Sequence, residues 1–326
     1  MSVLASPPQS KQEDLQQPVN RAGFKHVLMA TDFSSASERA LSYAIAIARH
    51  YGSELSVAHA IAPEPRAPIP LEPLPRELNR RLQQAEQSMK ILSSQAPLHD
   101  LRHHLLLERG RVWDALAAVI QSQKIDLLVL GTHGRGGVKK LALGSVAEEV
   151  LRLAACPVLT VGPHVPFLVP GDSQFSSILF ATDFGPAATK AFPYALSLAE
   201  DYQAKLALLH LLPPMPAADL GPAAYGPSPY AAEEYALWQK TMREQGQKKL
   251  RELLPSNSRL AAAPEFLVGC DFLPEGILEV AASRKIELIV MGANRTSSPW
   301  AAAHIPWALS HELICHAQCP VFTVSD

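Results

Sequence analysis

A chain of 326 residues is about twice as long as a typical domain, so we expect two domains that each bury a core. Hydrophobic residues make up 48% and charged residues 18% of the sequence, and the formal net charge is -2. These values are typical of a globular protein and exclude a broad basic field for nucleic acid. The sequence shows neither an apolar run of about 20 residues nor a signal-peptide pattern, so we expect a cytoplasmic protein without a membrane partner.

Short apolar strands alternate with helical patterns along the first half of the chain. The predicted elements are strand 26–31, helix 35–51, strand 54–60, helix 76–94, strand 101–107, helix 112–123, strand 126–130, helix 145–154 and strand 157–161. The run from Ile125 to Leu130 is interrupted by a single polar residue, which is typical of a strand covered on both faces. This alternation predicts βα units and a parallel sheet.

The second half of the chain repeats the first. Residues 30–33 (Ala-Thr-Asp-Phe) recur at 181–184, and residues 156–161 (Cys-Pro-Val-Leu-Thr-Val) are matched at 319–324. The second copy is longer, and Pro213 to Tyr230, rich in proline, glycine and alanine, is predicted to be an expanded loop. We expect a disordered tail at 1–22, a first domain at 23–163, a linker at 164–175 and a second domain at 176–326.

A glycine-rich segment between a predicted strand and helix carries the clearest functional signal. Gly131, Gly134 and Gly144 permit backbone N–H groups to approach a phosphate chain closely, and Ser145 opens a helix whose N-terminus attracts anions. Donors and positive charge surround the same segment at His133, Arg135, Lys139 and Lys140. The alternative interpretation is a glycine-rich turn with solvated basic residues.

Two common phosphate-binding motifs do not match this segment. A Walker loop requires a lysine where Gly137 follows Gly136, and the Rossmann fingerprint requires a glycine where Lys139 stands. The segment also follows a late strand, whereas the Rossmann glycines follow the first. A P-loop is therefore excluded and dinucleotide binding is disfavoured.

The spacing Gly131-x2-Gly134-x9-Gly144-Ser145 resembles the ATP-binding signature of the universal stress protein family. Residues 31–34, residues 59–60 and residues 144–148 match the family as well, so the resemblance extends from about residue 23 to residue 326. It implies two tandem doubly wound α/β domains, each with a five-stranded parallel sheet in the order 3-2-1-4-5. It also implies that they pack as an intrachain pseudo-dimer, in which 157–162 pairs with 320–325. Ligands of such sheets bind outside the strand ends where the strand order reverses.

By this resemblance the first domain binds ATP, with Mg²⁺ or Mn²⁺ bridging phosphate oxygens. Asp32 would contact the adenosine and the backbone around Ala60 would meet the adenine. The implied nucleotide-binding residues are Ala30, Thr31, Asp32, Ala60, Leu130, Gly131, His133, Gly134, Arg135, Gly144, Ser145 and Val146. An alternative role for Asp32 is to cap the turn into the first helix.

The second copy lacks the glycine pattern. Arg295 stands where the first copy has Gly134, and Trp307-Ala308 replace Gly144-Ser145 at the predicted helix start. We therefore expect no ATP in the second domain and a structural role for Asp183.

Cysteine and histidine residues near the end of the chain could suggest a metal site. Cys319 precedes Pro320 as Cys156 precedes Pro157, which favours core packing over metal binding. The residues with metal-binding chemistry in this region are His304, His311, Cys315 and Cys319. His59 and His210, which end buried strands, are likewise interpreted as packed or bonded to a loop, and not as catalytic.

The leading functional hypothesis is a stress-related regulatory protein. ATP in the first domain would alter conformation or the choice of an unknown protein partner, with the second domain as a non-binding pseudo-partner and a further homodimer left open. One alternative is slow ATP hydrolysis or self-phosphorylation near Asp32, His133 and Ser145. The other is a nucleotide-independent interaction module that docks partners through the Pro-rich segments 62–75 and 213–230.

Overall fold

The computed structural model describes residues 23–62, 74–94, 96–132, 143–168, 175–212, 229–293 and 306–325. The first copy contains β1 (His26–Ala30), α1 (Ser35–Tyr51), β2 (Glu54–Ile61), α2 (Leu74–Ser93), β3 (His103–Arg109), α3 (Val112–Ser122), β4 (Leu127–Gly131), α4 (Ser145–Leu153) and β5 (Val158–Val161). The second copy contains β6 (Ser177–Ala181), α5 (Pro186–Asp201), β7 (Lys205–Leu212), α6 (Pro229–Leu253), β8 (Glu265–Cys270), α7 (Glu275–Ser283), β9 (Leu288–Ala293), α8 (Pro306–His316) and β10 (Val321–Ser325).

The strands form one ten-stranded sheet in the order β3-β2-β1-β4-β5-β10-β9-β6-β7-β8. Within each copy all neighbours are parallel, which confirms the predicted α/β class and the order 3-2-1-4-5. The order reverses between β1 and β4, so connections leave this point in opposite directions and open a crevice beyond the strand ends. None of the described helices is long and apolar enough to cross a membrane.

The two copies are joined through their last strands, as the resemblance implies. β5 and β10 pair antiparallel, with Thr160 opposite Val321. The buried Thr160 hydroxyl donates to the Val321 carbonyl (3.0 Å), and the Thr323 hydroxyl donates to the Val158 carbonyl (3.3 Å). These reciprocal bonds satisfy two buried hydroxyl groups at the join, where an unpaired polar group would be costly.

Apolar side chains cover both faces of the sheet. On one face, under α1 and α5, a single core cluster includes Val27 from the first copy and Phe180 and Phe322 from the second. On the other face, α3, α4, α7 and α8 contribute to a second cluster that also spans both copies. The hydrophobic stabilisation of the two halves is therefore shared and not divided at the join.

Aromatic contacts hold α1 against the second copy. The His50 ring stacks on Tyr202 with ring centroids 3.9 Å apart, and the Tyr51 hydroxyl donates to the Asp201 carboxylate at 2.9 Å. Burial, with Asp201 nearby, raises the pKa of the Tyr51 hydroxyl, so this group remains a neutral donor at ordinary pH. Phe24 stacks on Tyr194 in the same layer.

Several predicted boundaries differ from the structure by one or two residues. Strand 101–107 is observed as β3, two residues later, because Leu98 is fully buried in a 3-10 turn and accepts the Leu101 amide, which keeps residue 101 in the turn. The predicted loop 213–230 lies outside the described residues up to 228, and α6 already begins at Pro229, since a proline is tolerated in the first turn. α8 begins at Pro306, so Trp307 and Ala308 lie inside its first turn.

The linker is partly packed against the first copy. Val165 is buried, the Tyr43 hydroxyl donates to the Pro166 carbonyl (3.2 Å), and the Leu168 amide donates to the Ser42 hydroxyl (3.3 Å). The start of the expected linker is thus fixed on α1. The predicted tail at 1–22 lies outside the described residues.

Candidate functional site

The turn that follows β1 is fixed by its own side chains. The Phe33 amide donates to the Thr31 hydroxyl (3.0 Å) and the Ser34 amide donates to Asp32 Oδ1 (3.0 Å). The Ser34 hydroxyl then accepts the Ser37 amide (3.3 Å) as the N-cap of α1. These local bonds are typical of Asp, Ser and Thr at helix starts. Asp32 therefore does hold the turn, the alternative role considered for it, while remaining half-buried at the rim of the crevice.

The neighbouring strand β2 also holds this turn. The Thr31 amide donates to the Ala58 carbonyl (2.9 Å), and His59 Nδ1 lies 2.7 Å from the Thr31 carbonyl oxygen, to which it donates. The Phe33 ring packs on the His59 ring with centroids 4.6 Å apart. His59 is thus packed and bonded to the loop, as predicted, and its bond fixes the tautomer of the ring.

The second copy builds the same turn. The Gly185 amide donates to Asp183 Oδ1 (2.8 Å), and His210 Nδ1 lies 2.8 Å from the Thr182 carbonyl. Phe33 and Phe184 both have a left-handed backbone, with φ of 61° and 62°. A positive φ in a bulky residue is strained and frequently marks a functional site. The second copy, whose glycine pattern is altered, has the same backbone strain. The strain is therefore a feature of the fold and is not evidence for a ligand at either turn.

Gly131 ends β4 directly beside the turn. In the register of the sheet Ala30 lies opposite Leu130, so Asp32, which follows β1, and Gly131, the last residue of β4, lie at adjacent strand ends. A methyl group on Gly131 would lie 2.6 Å from the Ala36 carbonyl oxygen, and one on Gly292 would lie 2.3 Å from the Ala187 carbonyl carbon. Glycine is therefore required in both copies by the close approach of α1 and α5, whatever the ligand.

The start of α4 has no side-chain cap. Gly144 is the N-cap of α4, with an extended backbone and no side-chain cap, and its amide donates to the Thr132 carbonyl (2.8 Å). Ser145 and Val146 follow and are exposed. An uncapped helix start presents free N–H groups and the positive end of the helix dipole. This end of α4 can accept an anion such as a phosphate.

The structure places most of the implied site residues at one edge of the sheet. Those at the ends of β1, β2 and β4 and at the start of α4 are Ala30, Thr31, Asp32, Ala60, Leu130, Gly131, Gly144, Ser145 and Val146. Leu130 is buried, whereas Ala60 and Gly131 are partly exposed. His133, Gly134 and Arg135 lie outside the described residues, as does Arg295 in the second copy.

Thr132 is a residue of this edge for which the sequence predicts no role. It is buried, and its carbonyl accepts the Gly144 amide, which brings the end of β4 to the start of α4. Its position directly after Gly131 was the available signal. The polar character of threonine gave no reason to expect that it would be buried.

Free thiols and imidazoles do not form a metal centre in the described part of the chain. No group of three or more His, Cys, Asp or Glu residues is close enough there to hold a metal ion. All four cysteines are free, and Cys315 and Cys319 are buried. Burial raises the pKa of the Cys319 thiol to about 12, so it stays protonated as a packed apolar group.

The two similar halves of the sheet are matched by two hits of one family model in the sequence. The model of the universal stress protein family matches residues 23–162 and again residues 174–325. The chain belongs to the universal stress protein family. It carries two copies of the family domain in tandem.

Individual relatives match one copy or the whole chain. A universal stress protein of Thermus aquaticus is 39% identical over 140 residues, which cover 42% of this chain and 98% of the relative. One from Methanocaldococcus jannaschii is 29% identical over 139 residues, 42% of this chain and 82% of the relative. The crystal structure of a universal stress protein from Archaeoglobus fulgidus covers 92% of this chain and 98% of its own, with a TM-score of 0.62 and 17% identity. Likeness at this identity shows the shared two-copy fold.

Proposed function

We propose that the first domain binds one ATP at the carboxyl edge of its sheet, and that the second domain binds none. The observation that carries the proposal is the start of α4. Gly144 leaves the helix without a side-chain cap, Ser145 is exposed, and Asp32 follows β1, the strand that pairs with β4. In the second domain α8 starts with Pro306, which has no N–H group to offer. The phosphates would lie on α4, and Asp32 would meet the hydroxyl groups of the adenosine.

A divalent cation fits this proposal as a companion of the phosphates. The described residues hold no cluster of three metal ligands, so Mg²⁺ or Mn²⁺ would be coordinated mainly by phosphate oxygens, as is usual for Mg²⁺ with nucleotides. The cation would neutralise phosphate charge near the Asp32 carboxylate. The protein would contribute the helix start, the glycine backbone and the Ser145 hydroxyl.

The proposed role is regulatory. ATP occupancy of the first domain would change how the chain engages a protein partner in a stress response, with the second domain as a non-binding companion. The shared sheet and the two shared core clusters give a physical route, because a change in one copy bears on groups packed in the other. An intact candidate site beside an altered one is what such an arrangement requires.

The two aspartates provide a matched test. Asp32→Ala and Asp183→Ala each remove one acceptor from the same kind of turn, so the structural losses are alike. Calorimetric titration of Mg·ATP into nucleotide-free protein should give one site per chain. Asp32→Ala should weaken binding by about tenfold or more, the value of a hydrogen bond to a charged group, and Asp183→Ala should bind as the wild type does.

Three results would contradict the proposal. Two sites per chain would show that the second domain also binds, and equal weakening by both variants would reduce Asp32 to a structural residue. The absence of heat with nucleotide-free wild-type protein would favour the interaction-module hypothesis. Asp32→Asn adds a finer control, because it keeps the acceptor of the turn and removes only the charge.

A further inference from the structure

Helix α8 of the second copy reaches the candidate phosphate site of the first copy. The Leu143 amide, one residue before the N-cap of α4, donates a hydrogen bond to Nε2 of His311 at 3.3 Å. Leu143 is buried, and His311 is half-buried. This contact joins residues 168 positions apart and crosses from one domain to the other.

A second observation shows that α8 is tightly seated there. A methyl group on Gly162, just after β5, would lie 2.3 Å from the Ile314 carbonyl oxygen. His311 and Ile314 are three residues apart and so lie on one side of the helix. The face of α8 that carries His311 is therefore in backbone contact with the first domain.

Successive amides at the start of α4 are held by different domains. The Gly144 amide donates to Thr132 of its own domain, and the Leu143 amide donates to His311 of the other. Together the two bonds orient the peptide units that lead into Ser145. Cys315 lies one turn further along α8. Burial raises the pKa of its thiol, and a hydrogen bond with the Leu143 backbone lowers it.

The reciprocal contact cannot form. At the offset of 163 that relates Cys156 to Cys319, Leu143 corresponds to Pro306 and His311 corresponds to Glu148. Pro306 has no amide hydrogen, so it cannot donate to Glu148 the hydrogen bond that Leu143 donates to His311. The link therefore runs from the second domain to the first only, and it reaches the copy with the intact glycine pattern.

We infer that His311 is a positioning residue for the ATP site of the first domain, and that the second domain completes this site through it. The inference rests on the proposed function. A neutral imidazole accepts at Nε2 and holds the Leu143 peptide, so that the free amides of α4 are aligned before ATP arrives. The second domain is thus a structural part of a site whose ligand it does not contact.

The test uses the full-length chain and three variants. His311→Ala removes the acceptor, His311→Gln restores a carbonyl acceptor at similar reach, and His316→Ala is the control on the same helix. The described hydrogen bond of His316 lies within α8, to the Glu312 carbonyl at 2.9 Å. The first measurement is hydrogen exchange of the Leu143 amide without nucleotide, and the second is calorimetric titration with Mg·ATP.

We expect His311→Ala to speed exchange at Leu143 and to weaken ATP binding, each by about fivefold, as for the loss of one ordinary hydrogen bond. His311→Gln should recover most of both, and His316→Ala should match the wild type. Unchanged exchange in His311→Ala, or faster exchange with unchanged ATP affinity, would overturn this inference and leave the proposed function intact. No binding of ATP by the wild type would overturn both.

Discussion

Replacement of Gly162 by alanine probes the contact between the two domains with a single methyl group. That group would lie 2.3 Å from the Ile314 carbonyl oxygen, closer than the 3.0 Å that real side-chain carbons respect, and 3.8 Å from a Val165 methyl. The close partner is backbone of α8, which no rotamer change can move. The strands or the helix must therefore shift.

Overpacking of this kind costs about 1–3 kcal/mol of unfolding free energy. The lower entropy of alanine in the unfolded chain offsets about 0.4–1 kcal/mol of this, so we expect a net loss of about 1–2 kcal/mol. Urea denaturation at equilibrium would show it as a lower midpoint with an unchanged slope. The equivalent residue in the second copy is Ser325, which already carries a side chain at this position. The fold of the domain therefore does not itself require glycine here, and the strain in Gly162→Ala comes from the contact with α8.

Gly23→Ala is the matched control. Among the described residues no heavy atom lies within 4 Å of the methyl that would be added to Gly23, and Gly23 does not have a left-handed backbone. It should therefore change the midpoint little. If Gly162→Ala were as stable as Gly23→Ala, then α8 would not be seated against β5 as described, and the argument for His311 would lose its second support.

Three further predictions concern packing and pH. Gly292→Ala should lower stability by about 1–2 kcal/mol in thermal denaturation, as at Gly162, because the methyl would lie 2.3 Å from the Ala187 backbone, yet leave ATP affinity unchanged; a change in affinity would contradict a purely structural role. Tyr202→Phe should raise stability by about 1 kcal/mol, because the buried hydroxyl has no hydrogen-bond partner among the described residues; a loss would reveal a partner. Burial of the His50 ring, opposed by the Asp201 charge, lowers the pKa of His50 below 6.5. The His50 imidazole therefore binds a proton more readily in the unfolded chain than in the folded one, and stability falls as the pH drops below about 6.5. His50→Phe should therefore lose less stability on acidification, and parallel pH profiles would refute this.

Most helices and strands could be predicted from local sequence patterns, because each apolar pattern was compatible with one type of element. The apolar run through β4 required a strand covered on both faces, and the repeat of Cys156-Pro157 at Cys319-Pro320 located the last strand of each copy. The start of β3 was misplaced because Leu101 looks like a strand residue, and only the burial of Leu98 shows the turn before it.

The candidate site could be predicted in part. The Asp32 turn follows from local chemistry, since a carboxylate that caps the turn into the first helix is one of the two predicted roles of Asp32, and the Ser34 amide does donate to it. The bond between Leu143 and His311 could not be anticipated, since it depends on how two domains dock. In the sequence, the spacing of His311 from Cys315 and Cys319 suggests only metal-binding chemistry, because a contact with a residue 168 positions away leaves no local pattern.

The antiparallel ladder between β5 and β10 has a consequence for the association of the chain with other molecules. Each half alone would expose one of these strands as an unprotected edge, whereas in the described part of the chain the sheet ends at β3 and β8. Because the partner strand is tethered, the pairing does not weaken on dilution as an association between separate molecules would. A second copy of the chain would have to meet the first through another surface, so any homodimer would leave the central ladder untouched.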